Sequence, residues 1–426
     1  MHPVAAKGLA YLDDLFPEDA EAETLPKPEN VDGLDFLDQV RRFSGFGETT
    51  LESKIEGLPY FINEFWTSGQ RQAHSIHEIS YRACFKPQLP EFFISRLTNP
   101  GEGVHDPFMG RGTTPVQAAL MGRRPLANDI NPLSVLLTRP RLNPPPLSAI
   151  VRRLGGIQWD RAVSVREDLL AFYHPTTLRH LTVLKEWVET NAPLDHSSPD
   201  HVVDWIRMIA INRLTGHSPG FFSVYTLPPN QAVSVAAQVK INAKREQSPP
   251  PRDVAKIIVN KSRSLFADGT MTPHPSACLS TALANKSPKI PDQSAALVVT
   301  SPPFLDIVQY ADDNWLRCWF AGIDARCVDI AMHRTVDGWT EMVRQVLVEQ
   351  ARIVRPGGHV AFEVGEVRKG KILLERLVWQ AAAELPFGRL GVMVNQQEFT
   401  KTANCWGVSN NAGGTNTNRI VLLRRT

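Results

Sequence analysis

Asp106-Pro107-Phe108-Met109-Gly110-Arg111-Gly112-Thr113-Thr114 is the stretch that decides the fold. An acid, a proline and an aromatic residue lead into two glycines spaced by one residue. The glycines let the backbone turn tightly and come close to a ligand. Just before the turn, residues 103–108 read as a short buried strand. Just after it, residues 114–120 read as a helix that Gly122 ends. Residues 125–129 then read as a second strand. This is one strand–helix–strand unit of roughly thirty residues, the size of a parallel crossover.

The same alternation continues outward. Residues 91–97 have helical spacing. Residues 295–299 (Ala-Ala-Leu-Val-Val) form a continuous apolar run, as a strand covered on both faces requires. Residues 339–354 repeat Met342, Val346 and Ile353 at helical intervals and stop at Pro356-Gly357-Gly358. Strands over 359–364 and 390–394, a helix over 372–384 and a closing strand over 420–423 complete the series. The fold class is therefore α/β, a doubly wound and mostly parallel sheet.

The chain divides into four parts on this reading. Residues 1–40 are acidic, with Pro17, Pro26 and Pro28, and read as a poorly ordered arm. Residues 41–138 hold the glycine loop. Residues 139–275 break the alternation and read as an insertion. Residues 276–426 hold the rest of the sheet. The net charge of +2 conceals an uneven distribution, because Lys240, Lys244, Arg245, Arg252, Lys256, Lys261 and Arg263 cluster in the insertion. A polyanion is attracted there and repelled by the arm.

A hydrophobic fraction of 42% suits a water-soluble protein. The sequence has no charged-then-apolar signal at Met1 and no apolar run of bilayer length, so a cytoplasmic location without membrane contact is expected. Cys84, Cys278, Cys318, Cys327 and Cys405 are scattered and form no C-x-x-C pair. They read as reduced structural thiols, with no metal site expected.

Ligands of open parallel sheets bind beyond the carboxyl ends of the strands, where Asp106–Gly112 falls. The start of the following helix offers free N–H groups to an anion. Asp129, about twenty residues on, is placed to accept hydrogen bonds from ribose hydroxyls. Thr300-Ser301-Pro302-Pro303-Phe304 follows the apolar 295–299 run. Its consecutive prolines fix the φ angles of a loop. Ser301 supplies a side-chain oxygen, Pro302 a carbonyl, and Phe304 a flat face for an extruded base. Such acceptors are what a delocalised aromatic amine needs before its nitrogen can attack.

These two motifs resemble those of the DNA amino-methyltransferases. The resemblance covers roughly 60% of the chain and implies a Rossmann-like methyltransferase sheet and S-adenosylmethionine as cofactor. It places the cofactor against Phe85, Lys86, Pro87, Asp106, Pro107, Phe108, Gly110, Gly112, Thr113, Thr114, Asp129 and Thr300. It gives the transfer to Ser301, Pro302, Pro303 and Phe304. The order of the halves is similar to the family's alpha arrangement, which makes 139–275 a target-recognition region. Lys240, Lys244, Arg245, Lys256 and Lys261 then hold the phosphates of double-stranded DNA. Residues 217–226, Asn230 and Gln231 offer groups for base edges. The family's cytosine-N4 members usually begin the clamp with Ser, and Ser301 favours that product over N6-methyladenine. An RNA methyltransferase and an inactive binding module of the same fold are the other readings.

Some features fit the pattern less closely. The family's contact to the cofactor adenine is an acid after a third strand, expected between residues 273 and 292. Asp292 is the only acid there and sits just before the next strand. Asp306–Tyr310, Trp315 and Trp319 wall the base pocket or fill the core. Residues 404–407 and 414–419 line the site or touch DNA. The resemblance is compatible with a bacterial or phage enzyme near the nucleoid. It leaves open a cognate restriction endonuclease, the oligomeric state and the target sequence.

Overall fold

A computed structural model describes residues 35–67, 73–81, 84–194, 200–226, 232–274, 276–305, 310–328, 330, 333–367, 372–396 and 418–426. The strands in chain order are β1 (Leu51–Ile55), β2 (Leu58–Asn63), β3 (Gly103–Asp106), β4 (Arg124–Asp129), β5 (Cys278–Thr281), β6 (Ala295–Thr300), β7 (Val354–Val364), β8 (Glu366–Val367), β9 (Ile372–Leu373), β10 (Phe387–Asn395) and β11 (Asn418–Arg425). Among the described residues, nine of them form one sheet in the order β1-β2-β10-β11-β7-β6-β3-β4-β5, and β8 pairs with β9. From β7 to β5 every pairing is parallel. β11 runs antiparallel to both β7 and β10.

The helices in chain order are α1 (Phe36–Arg41), α2 (Gln88–Leu97), α3 (Thr113–Leu120), α4 (Pro132–Leu142), α5 (Leu147–Gly155), α6 (Pro175–Asn191), α7 (His201–Arg213), α8 (Val235–Lys244), α9 (Val254–Leu265), α10 (Tyr310–Ala321), α11 (Val336–Ile353) and α12 (Leu374–Ala381). The two-residue period of β6 divides its side chains between two cores. Leu297 and Val299 pack with Phe92, Phe93 and Ala118 from α2 and α3. Val298 packs with Trp339, Val343, Val346 and Val378 from α11 and α12. Burial on both faces is why this strand reads as an unbroken apolar run.

Two features of the N-terminal part differ from the sequence reading. Residues 1–34 of the acidic arm lie outside the described residues, but 36–41 are helical, with Phe36 and Val40 buried in the core. The β1–β2 hairpin is an addition to the expected strands, because the side chains of β1 are largely exposed and show no alternation. Its signal is the Glu56-Gly57 turn, where both residues have positive φ, as a tight hairpin turn requires.

The insertion is helical but is not closed at its sequence ends. The 138/139 boundary falls inside α4. Leu178, Trp205 and Ile258 of the insertion share one core with Ile76, with Leu133 and Leu136 of α4, and with Leu316 and Phe320 of α10. Amphipathic helices bury their apolar stripes against whichever neighbours the topology supplies, and here these come from both flanking halves. Among the described residues, no helix is long and apolar enough to cross a membrane.

Candidate active site

β3, β4 and β6 end side by side on one edge of the sheet. From β3 the chain builds outward through β4 to β5, then returns to the far side of β3 for β6. That reversal is a topological switch point, where a crevice opens between diverging loops. It makes neighbours of two motifs far apart in the chain. The Thr300 hydroxyl donates to Asp106 Oδ1 at 2.6 Å across 194 residues of sequence.

Asp106 braces the edge from beneath. It also accepts from the Phe108 N–H at 3.1 Å. Thr114 stands beside the Asp106 carboxylate, and its hydroxyl donates to the Val299 carbonyl at 3.0 Å. Burial pushes the Asp106 carboxyl up to about 7, against the pull of these donors. Asp106, Thr114 and Thr300 therefore act as a buried strut between β3, α3 and β6.

The two glycines of the loop have separate tasks. Gly110 has φ +50° and borders the cleft; a Cβ there would stand 3.5 Å from Cys84 Sγ, with no closer clash. Gly112 has φ +80° and faces inward, where a Cβ would sit 2.2 Å from Thr138 Oγ1 of α4. It is a packing glycine for the α3–α4 contact. Thr113 accepts from Arg111 Nε at 3.2 Å, and Arg111 reaches the Ile79 carbonyl at 2.9 Å. Arg141 in turn donates to the Arg111 carbonyl.

Asp129 lies at the end of β4 and faces the cleft. Its Oδ2 accepts from the Gly110 N–H at 2.8 Å and its Oδ1 from the Asn131 N–H at 2.9 Å. Burial raises its pKa, and these backbone donors oppose the shift. The Ser134 side chain also bonds this carboxylate, which still has acceptor capacity for a further donor. Of the Phe85-Lys86-Pro87 run only Phe85 borders the cleft; Pro87 caps α2 and is buried. Tyr81, which has no place in the sequence motifs, also borders it, and its hydroxyl accepts from Asn131 Nδ2 at 2.8 Å.

Across the cleft stand Ser301, Pro302, Pro303 and Phe304. The Trp339 indole of α11 donates to the Pro303 carbonyl at 2.9 Å. That contact ties the proline loop to α11. Phe304 rests against Gly365, where a Cβ would meet its ring at 2.8 Å. One further group escapes the sequence motifs. Glu363 on β7 borders the cleft, is 7% exposed, and accepts from Asn418 Nδ2 at 2.9 Å and from the Ser301 hydroxyl. Only a count of the inward-facing positions of β7 would find it.

Leu283, Ala284 and Asn285, just past β5, close the far end. Asn285 Nδ2 donates to Gln345 Oε1 at 2.8 Å, and Gln345 Nε2 donates to Glu341 Oε1 at 3.0 Å. Asn285 thus lines the cleft in the region where an acid was expected. Asp292 is instead paired with Arg352 at 2.5 Å. The whole cleft encloses about 740 Å³, within the range of sites for drug-sized ligands.

Other expected contacts sort clearly. Lys240, Lys244, Arg245 and Lys256 are exposed on α8, just after it and on α9. Lys261 is not: it is 9% exposed and donates to Glu78 Oε2 at 3.2 Å. It lies on the buried stripe of α9 with Val254, Ile257, Ile258 and Leu265, a spacing the sequence already displays. Desolvation lowers its pKa to about 8, another mark of an inward lysine. It is removed from the residues expected to hold phosphates.

Trp315 and Trp319 pack against the helical core, away from the clamp. The 217–226 segment is a compact loop with Arg213 over Phe221 at 4.1 Å and Arg245 over Tyr225 at 3.8 Å. Asn230, Gln231, residues 306–309, 404–407 and 414–417 lie outside the described residues. Asn418 borders the cleft, whereas Arg419 donates to buried Glu375 at 2.7 Å. Among the described residues Cys84, Cys278, Cys318 and Cys327 form no disulfide, and Cys405 lies outside those residues.

Residues 43–137 match the DNA methylase family. The type II methyltransferase M.MjaII of Methanocaldococcus jannaschii is 42% identical over 72 residues, 17% of this chain and 13% of that relative. The type II methyltransferase M.MvaI of Kocuria varians is 29% identical over 127 residues, 29% of this chain and 26% of its own length. The chain thus aligns with about a quarter or less of these curated relatives. Among solved structures, TrmN from Thermus thermophilus aligns over 83% of this chain and 52% of its own, at 12% identity and a TM-score of 0.32. The DNA methylase match contains the glycine loop, β4 and Asp129.

Proposed function

We propose that the protein is a DNA methyltransferase that moves a methyl group from S-adenosylmethionine to the exocyclic N4 of a cytosine turned out of the duplex. The observation that carries this reading is a cleft shared by the two motifs. It joins Gly110 and Asp129 to Ser301 and Pro302 without a wall between them. The DNA methylase match over the glycine loop adds support.

The residues present fit the cofactor. Gly110 gives close backbone approach, Asp129 offers lone pairs to a ribose diol, and Asn285 offers an acceptor to an adenine amine. Phe85, Phe108 and Ala284 supply apolar surface. When bound, the cofactor supplies an electrophilic methyl group. The chain does the rest. Ser301 Oγ and the Pro302 carbonyl accept the two amine hydrogens, which draws nitrogen density out of ring conjugation. Phe304 holds the ring flat. Positioning of this kind lowers the barrier by fixing the attack geometry in advance.

Lys240, Lys244, Arg245 and Lys256 meet the DNA backbone in this reading. The 139–275 helices and the 217–226 loop then read the target. Ser301 favours cytosine N4. Nucleoside mass spectrometry on DNA from expressing cells tests the proposal: N4-methylcytosine is expected. N6-methyladenine would reassign the base, and unmodified DNA would overturn the function. Ser301→Ala should keep cofactor affinity and lose about 2–4 kcal/mol of transition-state stabilisation.

A further inference from the structure

Transfer to an amine leaves a proton to be removed. The nitrogen gains a carbon and begins with two hydrogens, so one N–H bond must break. Ser301 alone is a poor sink, because a free hydroxyl does not hold a second proton at neutral pH.

The structure places a carboxylate behind it. Glu363 comes from β7, the strand beside β6, and stands in the same cleft wall as Ser301. Its carboxylate accepts from Asn418 on one side and from the Ser301 hydroxyl on the other. Two consequences follow from this geometry. With its hydrogen turned to Glu363, Ser301 presents lone pairs to the cleft, the orientation an amine hydrogen needs. A short path also runs from the amine through Ser301 to a group able to take a proton. Burial raises the pKa of Glu363, which makes it a stronger acceptor than a surface carboxylate.

We propose that Glu363 is the positioning residue of the clamp and the end point of the amine proton. This rests on the methyltransferase reading above. The nitrogen lone pair forms the N–C bond as the C–S bond breaks, with that electron pair going to sulfur. One amine proton passes to Ser301 Oγ while the Ser301 hydroxyl proton passes to the Glu363 carboxylate. Glu363 ends as the neutral acid, Ser301 ends as it began, and the proton later leaves to solvent. Asn418 stays a donor throughout and holds the carboxyl plane.

Glu363→Gln separates the two roles. The amide keeps the size of the side chain and an oxygen for the Ser301 hydroxyl, but it cannot take the proton. Turnover is expected to fall about 100-fold or more. Cofactor affinity by calorimetry, affinity for unmethylated duplex by fluorescence anisotropy, and the urea midpoint should stay near wild type. Glu363→Asp should recover part of the missing turnover, because it restores a carboxylate. Turnover of Glu363→Gln within twofold of wild type would overturn the proposal, and so would a loss confined to cofactor or DNA affinity. Ser301→Ala, assayed alongside, separates the levels of failure. If it is inactive while Glu363→Gln is fully active, only the proton route falls; if both are fully active, the clamp reading falls with it.

Discussion

Gly112→Ala tests the division of labour between the two loop glycines, and its cost can be worked from the structure. A Cβ at φ +80° costs about 1–2 kcal/mol in backbone strain. The same Cβ would meet Thr138 Oγ1 at 2.2 Å, Cγ2 at 2.7 Å and Cβ at 2.9 Å. Relieving such overpacking costs about 1–3 kcal/mol. The single variant should therefore lose about 2–5 kcal/mol, the sum of the two terms. Thr138→Ala removes the two nearest atoms. Its own cost should stay within about 1 kcal/mol, because the Thr138 hydroxyl has no partner among the described residues. The double variant should regain most of the overpacking term and keep the backbone term. Urea unfolding of all four proteins gives the coupling energy, provided the slope is unchanged. A coupling of about 1–3 kcal/mol is expected. Strict additivity would refute Gly112 as a packing glycine. Gly110→Ala is the control, with only the strain term in stability and its main loss in cofactor affinity.

Alanine at Lys240, Lys244, Arg245 and Lys256 should weaken DNA binding on all sequences. It should also flatten the salt dependence by about one unit of slope for each phosphate that is no longer neutralised. Lys261→Ala should leave that slope unchanged and lower the urea midpoint instead, since it strips a donor from Glu78; a changed slope would return Lys261 to the interface. Trp339→Phe removes the donor to Pro303 and should cost about 1–3 kcal/mol of stability. It should lower turnover more than cofactor affinity, and an unchanged turnover number would detach α11 from the clamp. The raised pKa of Asp106 gives stability a pH signature. The folded state holds this proton up to about 7, whereas the unfolded chain releases it near 3.8. The unfolded chain therefore binds fewer protons across that window, so the Asp106 contribution falls as pH rises through it and is constant above. Asp106→Asn should flatten that part of the plot of urea midpoint against pH, and an unchanged slope would refute the assignment.

The core of the sheet is legible in the sequence because its strands are buried on both faces and its helices repeat at fixed intervals. Ala295–Thr300 shows the first signal and Val336–Ile353 the second. The outer strand β1 is not legible from apolar pattern, because an edge strand with exposed side chains carries no such pattern. In the site, the two motifs bring Gly110, Asp129, Ser301 and Pro302 to the lining of one cleft. They do not reveal which motif members point inward. Asp106 and Gly112 sit among the most recognisable letters of the loop, yet they brace it from below. Glu363 and Asn285 have no motif to announce them, since each reaches the cleft through a strand neighbour or a strand end. The insertion is visible in its charge, but charge counts residues without regard to side. The 3.6-residue stripe of α9 is the information that sorts Lys261.

The hydrogen bond between Thr300 and Asp106 also bears on how the chain matures. During synthesis β3 and β4 emerge early, but the strand that covers the other side of β3 is β6, whose Thr300 follows Asp106 by 194 residues. Until then β3 is an open edge, with unpaired backbone groups and a buried-type acid lacking its threonine. Open edges recruit foreign strands. The ribosome adds about 5–20 residues each second, so this exposure lasts on the order of ten seconds or more. The helices encoded between the two strands are made during that wait and can pack on α4 while the sheet is incomplete. The nascent chain thus has its helical layer available as a shelter before the edge that carries the cleft can close.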